Sequence, residues 1–242
     1  MGIPILDAAT LSLVLLVTAV IGMFLWGVAA ADKRAGAEGG SGVRSRRALL
    51  IAAALLAAWM AYSGLAAGMG MFLDPESIPP PLFRLMGPGL LLVFLAAFSG
   101  FGKRLAKHLG YAALIGFHAF RLPLEGLLWW FHKQGRLPVQ MTFEGRNLDI
   151  ITGISAIVMA VLVGMGIASR KAIMIWNLAG FILLMNIMTV AILSIPGPMR
   201  RFHNEPANTL VLHFPYVWIP AVFVLAAFLG HLFILRKLQL TA

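Results

Sequence analysis

No cysteine occurs in the chain, which excludes disulfide staples, thiol nucleophiles, thiolate zinc sites and haem held by a cysteine. Charge is nearly as scarce. Charged residues make up 12% of the 242 residues, where a soluble domain carries about a quarter. Only nine of them are acidic. Apolar–polar alternation of the kind that marks barrel strands is missing too.

What is present is apolar: hydrophobic residues are 60% of the chain and its mean hydropathy is +0.90. Such a composition belongs in lipid. A hydrocarbon core about 30 Å thick takes roughly 20 apolar residues per helix. Seven runs meet that length, near 8–30, 48–73, 82–101, 109–132, 148–168, 172–195 and 216–237. The expected fold is therefore all-α, a single polytopic domain over 1–242 with seven transmembrane helices. Asp7, and no Lys or Arg, precedes the first run. A cleaved signal peptide has a positive segment there, so the first run is read as a retained span.

The net charge of +10 does not mark a nucleic-acid protein, because the basic residues form no stripe or motif of that kind. They sit between the apolar runs. The stretches 33–47, 103–107, 170–171 and 236–237 hold twelve of the nineteen Lys and Arg. By the positive-inside rule those stretches face the cytoplasm, placing the N-terminus outside and the C-terminus inside. The same charges suit contact with anionic headgroups. Residues 31–47, "ADKRAGAEGGSGVRSRR", read as a flexible cytoplasmic loop. Acidic residues lean the other way: Asp7, Asp74, Glu76, Glu125, Glu144, Asp149 and Glu205 lie in or toward the outer half.

One apolar run breaks its own rules. Residues 117–132 are "FHAFRLPLEGLLWWFH". On one continuous helix, His118, Arg121, Glu125, Trp129 and His132 fall within roughly 80° of arc. Facing lipid, a charge such as Arg121 costs roughly 2.5–3.5 kcal/mol at a helix centre, so the stripe is expected to face the bundle interior. Arg121 and Glu125, one turn apart, are expected to neutralise each other. Pro123 withholds the amide that would bond the carbonyl of Ala119 and is expected to bend the helix.

Two polar loops join the helices at the outer end of this stripe. "MTFEGRNLDI" (141–150) carries Glu144, Arg146, Asn147 and Asp149. "PGPMRRFHNEPANTLVLHFPY" (196–216) carries Arg200, Arg201, His203, Asn204 and His213. Together with His118, Arg121, Glu125 and Asn186 of the sixth run, these residues are the expected lining of a polar pocket open to the outer side. Asn177, Thr152 and Ser155 read as hydrogen-bond glue between helices, and His108 and His231 as structural residues of the inner side.

Three functions fit. In the first, the pocket binds, senses or transports a small anionic or amphipathic ligand, with arginines for an acidic head and apolar walls for a tail. The inner half lacks the acidic residues of a through-pathway, and the seventh run lacks a mid-helix lysine for a retinal Schiff base. In the second, the chain is a membrane enzyme acting on a lipid or isoprenoid-like substrate. Glu125, Glu144 and His132 are then the acid–base candidates, or His132, His203 and His213 the metal candidates. No H-E-x-x-H motif accompanies them. The segment "RLPLEGLLWW" resembles the Pro-x-Glu-Glu motif of membrane lycopene cyclases, with Gly126 in place of the second Glu. In the third, the chain carries haem. His118 and His132, 14 residues apart, resemble the spacing in di-haem cytochrome b helices. His213 and His231 lie about 27 Å apart along a helix against about 21 Å for the first pair, so at most one haem at the outer end fits. No cofactor follows from the residues alone, and neither does an oligomeric state.

The segments "FHAFRLPLEGLLW", "MTFEGRNLDIITG", "WNLAGFILLMN" and "HFPYVWIPAVFVLAAFLGHL" together resemble a family of small, uncharacterised bacterial multi-pass membrane proteins, from about residue 110 to the C-terminus. The resemblance implies a bacterial inner membrane and no particular chemistry.

Overall fold

Helix dominates because the apolar runs carry little to interrupt them. The structure, a computed structural model, describes residues 7–38, 42–75, 77 and 79–241, with the backbone only for 42–46. Glu76 lies outside the described residues. Among those described there is no strand. The helices are α1 (Ala8–Ala37), α2 (Gly42–Gly68), α3 (Pro81–Phe98), α4 (Gly100–His108), α5 (Tyr111–Gly116), α6 (Arg121–Lys133), α7 (Asp149–Gly164), α8 (Arg170–Ile192) and α9 (Leu225–Leu240). Five stretches, Ala8–Ala37, Arg47–Gly68, Pro81–Phe98, Arg170–Ile192 and Ile219–Leu240, are long and apolar enough to cross a membrane. Asp149–Gly164 is apolar but shorter.

Three expected boundaries change. The supposed loop 31–47 is mostly helix: α1 runs on to Ala37 and α2 starts at Gly42. Tertiary contacts hold the end of α1, since buried Asp32 pairs with Arg104 at 2.9 Å and Arg34 donates to the carbonyl of His108 at 2.8 Å. The expected span 82–101 ends at Phe98. Ser99 caps the next helix by accepting from the amide of Gly102 at 3.3 Å, and α4 sets off as a separate amphipathic helix.

The expected fourth span is not one uniform helix either. Between α5 and α6 the chain winds as a 3₁₀ turn over Phe117–Phe120. Pro123 accounts for it. Its ring crowds the carbonyl of Ala119 and it has no N–H to offer, so the preceding turn closes with i→i+3 bonds. Residues three apart eclipse in that winding, which sets His118 and Arg121 one above the other. A second irregularity lies opposite, where Ile219–Val224, containing Pro220, adopts the wider π winding. There Trp59 donates to the carbonyl of Ala221 at 2.9 Å.

Polar contacts gather at the two ends of the bundle. At one end, Arg136 pairs with Asp7 at 2.6 Å and donates to Tyr216, whose hydroxyl also bonds Thr10 at 2.7 Å. At the other, Lys237 reaches the carbonyl of Ala106 at 3.0 Å and Tyr111 bonds Thr241 at 2.9 Å. Between the ends α9 is the most enclosed helix, packed by α3, α4, α5 and α8.

Candidate functional site

The site begins where two backbones nearly touch. Gly153 of α7 lies so close to α6 that a Cβ there would sit 2.5 Å from the amide nitrogen of Leu122. Only glycine permits that approach. One turn before Gly153, Asp149 is thereby set against Arg121, with Oδ2 2.6 Å from Nη2. Both residues are buried. The partner expected for Arg121 was Glu125, and the structure gives it Asp149 instead. Facing side chains across a glycine contact approach head-on, whereas neighbours one turn apart on a single helix run side by side.

Glu125 is held by the loop that leads into α7. Asn147, fully buried, donates through Nδ2 to both carboxylate oxygens of Glu125, at 2.7 and 2.8 Å, and to the carbonyl of Met141 at 3.1 Å. Its own Oδ1 accepts from the backbone N–H of Asp149 at 3.1 Å. A single side chain thus ties Glu125 to the start of α7.

The far side of Arg121 meets α9. Its Nη1 lies 3.2 Å from Nε2 of His231. A guanidinium only donates, so Nε2 accepts and the imidazole is the neutral tautomer protonated at Nδ1. That proton is donated to Oδ1 of Asn177 at 2.9 Å, while the Asn177 amide donates back to the carbonyl of His231 at 3.3 Å. Two more glycines make room: a Cβ at Gly180 would stand 2.8 Å from Cε1 of His231, and one at Gly230 would stand 2.6 Å from Nε2 of His118. The rings of His118 and His231 accordingly lie 4.1 Å apart, centre to centre. Neither nitrogen of His118 has a hydrogen-bond partner among the described residues, although the side chain is fully buried.

Beside this network lies a cavity of ≈ 210 Å³. Its polar end is Arg121, Glu125, Asn147 and Asp149; its walls are apolar, among them Met86 of α3, Leu124 of α6, Leu184 of α8 and Phe223 of the π-helical segment. Phe83 and Gly87 of α3, both exposed, and half-buried Met188 of α8 form the rim, so the cavity opens sideways between α3 and α8. Within the ion pair, Oδ1 of Asp149 and Nη2 of Arg121 are both buried, and neither makes a hydrogen bond of good geometry among the described residues.

Of the residues expected to line the pocket, Arg121, Glu125, Asn147 and Asp149 do so, and His118 lies next to the cluster behind Arg121. The others are not brought to it. Glu144 is exposed and binds Trp129 and Lys133 at 2.9 and 2.8 Å; the Lys133 ammonium and the indole N–H hold its carboxyl below the usual glutamate range. Trp129 thus leaves the inward stripe, being 37% exposed. Arg146 lies over the ring of Phe202, 5.1 Å away, and its carbonyl accepts from Asn186 at 2.7 Å, which turns Asn186 outward. Arg200 pairs with Glu205 at 2.8 Å, lowering that carboxyl, and Asn204 donates to Gln140 at 3.1 Å. Arg201 and His203 are exposed. Glu144, Arg146, Asn186, Arg200 and Asn204 are thus each taken up by a local partner away from the cavity.

The metal candidates are likewise separate. His132 bonds the carbonyl of Leu137 at 2.9 Å and His213 that of Thr209 at 3.0 Å. Among the described residues no three or more His, Asp or Glu are grouped to hold a metal ion. The contact between the His118 and His231 rings leaves no space for a porphyrin between them. Two residues of the network, His231 and Asn177, were read from sequence as structural. Their signal was a small residue beside a polar one in an apolar helix: Gly230 before His231, and Gly180 one turn after Asn177.

Residues 80–239 match the family model described as a domain of unknown function, DUF8737, and the chain belongs to that family. The match takes in α3 as well as the region from 110 onward, so it includes the wall of the cavity that α3 supplies. No curated protein and no solved structure matches the chain.

Proposed function

We propose that this DUF8737 chain is a multi-pass protein of a bacterial inner membrane that binds an amphipathic ligand, to sense or transport it, through a site opening sideways between α3 and α8. The observation that carries this reading is the cavity itself. Its ≈ 210 Å³ exceeds what one or two waters need, its walls are apolar, and one end alone is polar. A tail fits the walls and a head group the cluster. The lateral mouth suits a ligand that arrives from the bilayer.

The five long apolar stretches support the placement, and the proposed chain crosses seven times, with α5, the 3₁₀ turn and α6 together as one further pass and α7 as another. Asp7, Arg136 and Tyr216 then share the periplasmic end, and Asp32, Arg104 and Lys237 the cytoplasmic end. The enzyme reading is the weaker one. Both oxygens of Glu125 accept from Asn147, and His118 and His231 stand behind Arg121, away from the cavity lining.

Native mass spectrometry of the detergent-purified chain tests the proposal. A bound amphipathic adduct is expected, and Gly87→Phe is expected to remove it. Gly87 has nothing within 4 Å of a built Cβ, so the phenyl ring fills the mouth without a clash at its root. A wild-type protein that carries no adduct, and gains none from a membrane lipid extract, would refute the proposal.

A further inference from the structure

We infer that the ligand is a phospholipid drawn from the leaflet opposite the basic end of the bundle and returned to that same leaflet; this rests on the binding site proposed above. Three observations lead there. The first is which part of each helix lines the cavity. Lining residues run from Leu82 to Leu90 on α3, from Leu184 to Ile192 on α8, and from Ile219 to Ala227 at the start of the last apolar stretch. From α7 comes Asp149, its first residue. Among the described residues none lines the cavity from the remainder, where α3 continues to Phe98, α8 begins at Arg170 and α9 ends at Leu240. On α8 that uninvolved part, Arg170 to Leu183, is about 21 Å long. The cavity is thus confined to the half of the bundle remote from Lys103, Arg170 and Lys237.

The second observation is the depth of the mouth. Gly87 lies six residues beyond Pro81, where α3 starts, and Met188 four before Ile192, where α8 ends. The mouth is therefore about 6–9 Å below those helix ends. One leaflet of hydrocarbon is about 15 Å deep, so the mouth faces acyl chains. Next to it, on its outer side, two loops abut: a Cβ at Gly197 would stand 3.0 Å from the carbonyl oxygen of Pro75. Phe83 and Ile192 border both the cavity and the small cleft between these loops. The third observation is a floor. Just past the lining, Phe228 of α9 meets Phe94 of α3 and Phe181 of α8 edge to face, with ring centres 5.4 and 5.0 Å apart. This row joins the three helices across the bundle and closes the way toward the basic end. A lipid of the near leaflet has a way in, and the floor denies it a way through. The site then holds and releases its lipid on one side, which selects sensing over movement across the bilayer. In the orientation proposed above, that side is the periplasmic leaflet.

The test uses the full chain with Gly36→Cys, a position at the basic end where a Cβ meets nothing within 4 Å, in phosphatidylcholine vesicles. Cyclodextrin exchange loads the outer leaflet alone with phosphatidylcholine bearing a diazirine in its acyl chain. A membrane-impermeant biotin maleimide marks the molecules whose basic end faces out. After irradiation, streptavidin separates the two orientations and peptide mass spectrometry locates the attached lipid. Leu124 and Phe223 are buried and line the cavity, so labelling there reports entry and not contact with the lipid around the bundle. It is expected in the unmarked fraction, whose mouth faces the loaded leaflet, and at background level in the marked one. Gly87→Phe is expected to remove it. Equal labelling of both fractions, or labelling of the marked one alone, overturns the leaflet assignment and leaves the site standing. No labelling at Leu124 or Phe223 in either fraction overturns both. Labelling that persists in a folded Gly87→Phe protein overturns entry between α3 and α8. The comparison of fractions decides the leaflet even if Gly87→Phe does not fold.

Discussion

Replacing Gly153 by alanine adds one methyl group, and the structure sets what that group must displace. Its Cβ would lie 2.5 Å from the nitrogen of Leu122, 3.0 Å from that residue's Cα and 3.1 Å from the carbonyl carbon of Arg121. All three are backbone atoms, so no rotamer change relieves the contact. Ordinary contact begins at 3.4 Å, so α6 and α7 must part by about 0.9 Å. Overpacking of this kind costs about 1–3 kcal/mol. The separation also pulls Asp149 from Arg121, and losing a buried charge partner outright costs about 3–5 kcal/mol. Alanine returns up to about 1 kcal/mol of helix propensity. A net loss of about 3 kcal/mol follows if the pair is half lost. At about 2–4 °C per kcal/mol for a chain of this size, the apparent Tm falls by about 6–12 °C. Thermal unfolding in detergent, followed by loss of the monodisperse peak, measures it. Gly126→Ala is the control, because Gly126 is exposed and a Cβ there meets nothing within 4 Å. A Gly153→Ala protein that melts within about 2 °C of wild type refutes the close-contact reasoning.

Asp149→Asn is expected to destabilise more than Glu125→Gln, by about 3–5 against about 1–2 kcal/mol, since the first strips Arg121 of its ion-pair partner and the second weakens one amide contact. Equal losses in thermal unfolding would return Glu125 to the role of counter-ion. Gly230→Ala drives a methyl group to 2.6 Å from Nε2 of His118 and is expected to lower stability by about 1–3 kcal/mol; a His118→Ala background, with the ring gone, should suppress that loss. Glu144 offers a pH test. Its carboxyl titrates below the usual value, so the contact with Lys133 and Trp129 is complete above the ordinary glutamate range and is lost as pH falls through the lowered value. In Lys133→Met the acid-side change in Trp129 fluorescence should move to higher pH, and an unmoved midpoint contradicts the pairing. The lack of native cysteine makes orientation simple to read. A membrane-impermeant maleimide should label His203→Cys and spare Gly36→Cys in cells with a permeabilised outer membrane; the reverse pattern overturns the proposed topology.

How much of the site was legible before folding depends on which residue is considered. Arg121 and Glu125 announced themselves as charges in an apolar run, and such charges must turn inward whatever the neighbours are. Asn147 and Asp149 stood where a polar loop enters an apolar helix, which placed them near the stripe. Glu144, Arg146 and Arg200 looked alike in sequence and ended elsewhere. The choice among them was made by distances of a few ångströms at helix ends, where solvent and local partners satisfy a polar chain equally well. His231 and Asn177 were read only as structural for another reason. Each is one polar residue in an otherwise apolar helix, and only the meeting of α8 with α9 at Gly180, and of α9 with the 3₁₀ turn at Gly230, turns them toward Arg121.

Composition and run length by themselves settled that the chain is all-helical, that several helices are long and apolar enough for a membrane, and that thiol chemistry is absent. These properties follow from short-range physics: hydropathy summed along a run, and the donors and acceptors a residue type possesses. Tertiary structure decided the partner of Arg121, the neutral tautomer of His231, and the existence of a cavity with one polar end. Those depend on which backbones can approach, which here is set by three glycines, 153, 180 and 230, separated by up to 77 residues in the chain. Contact between residues so far apart is a property of packing, and no local pattern encodes it.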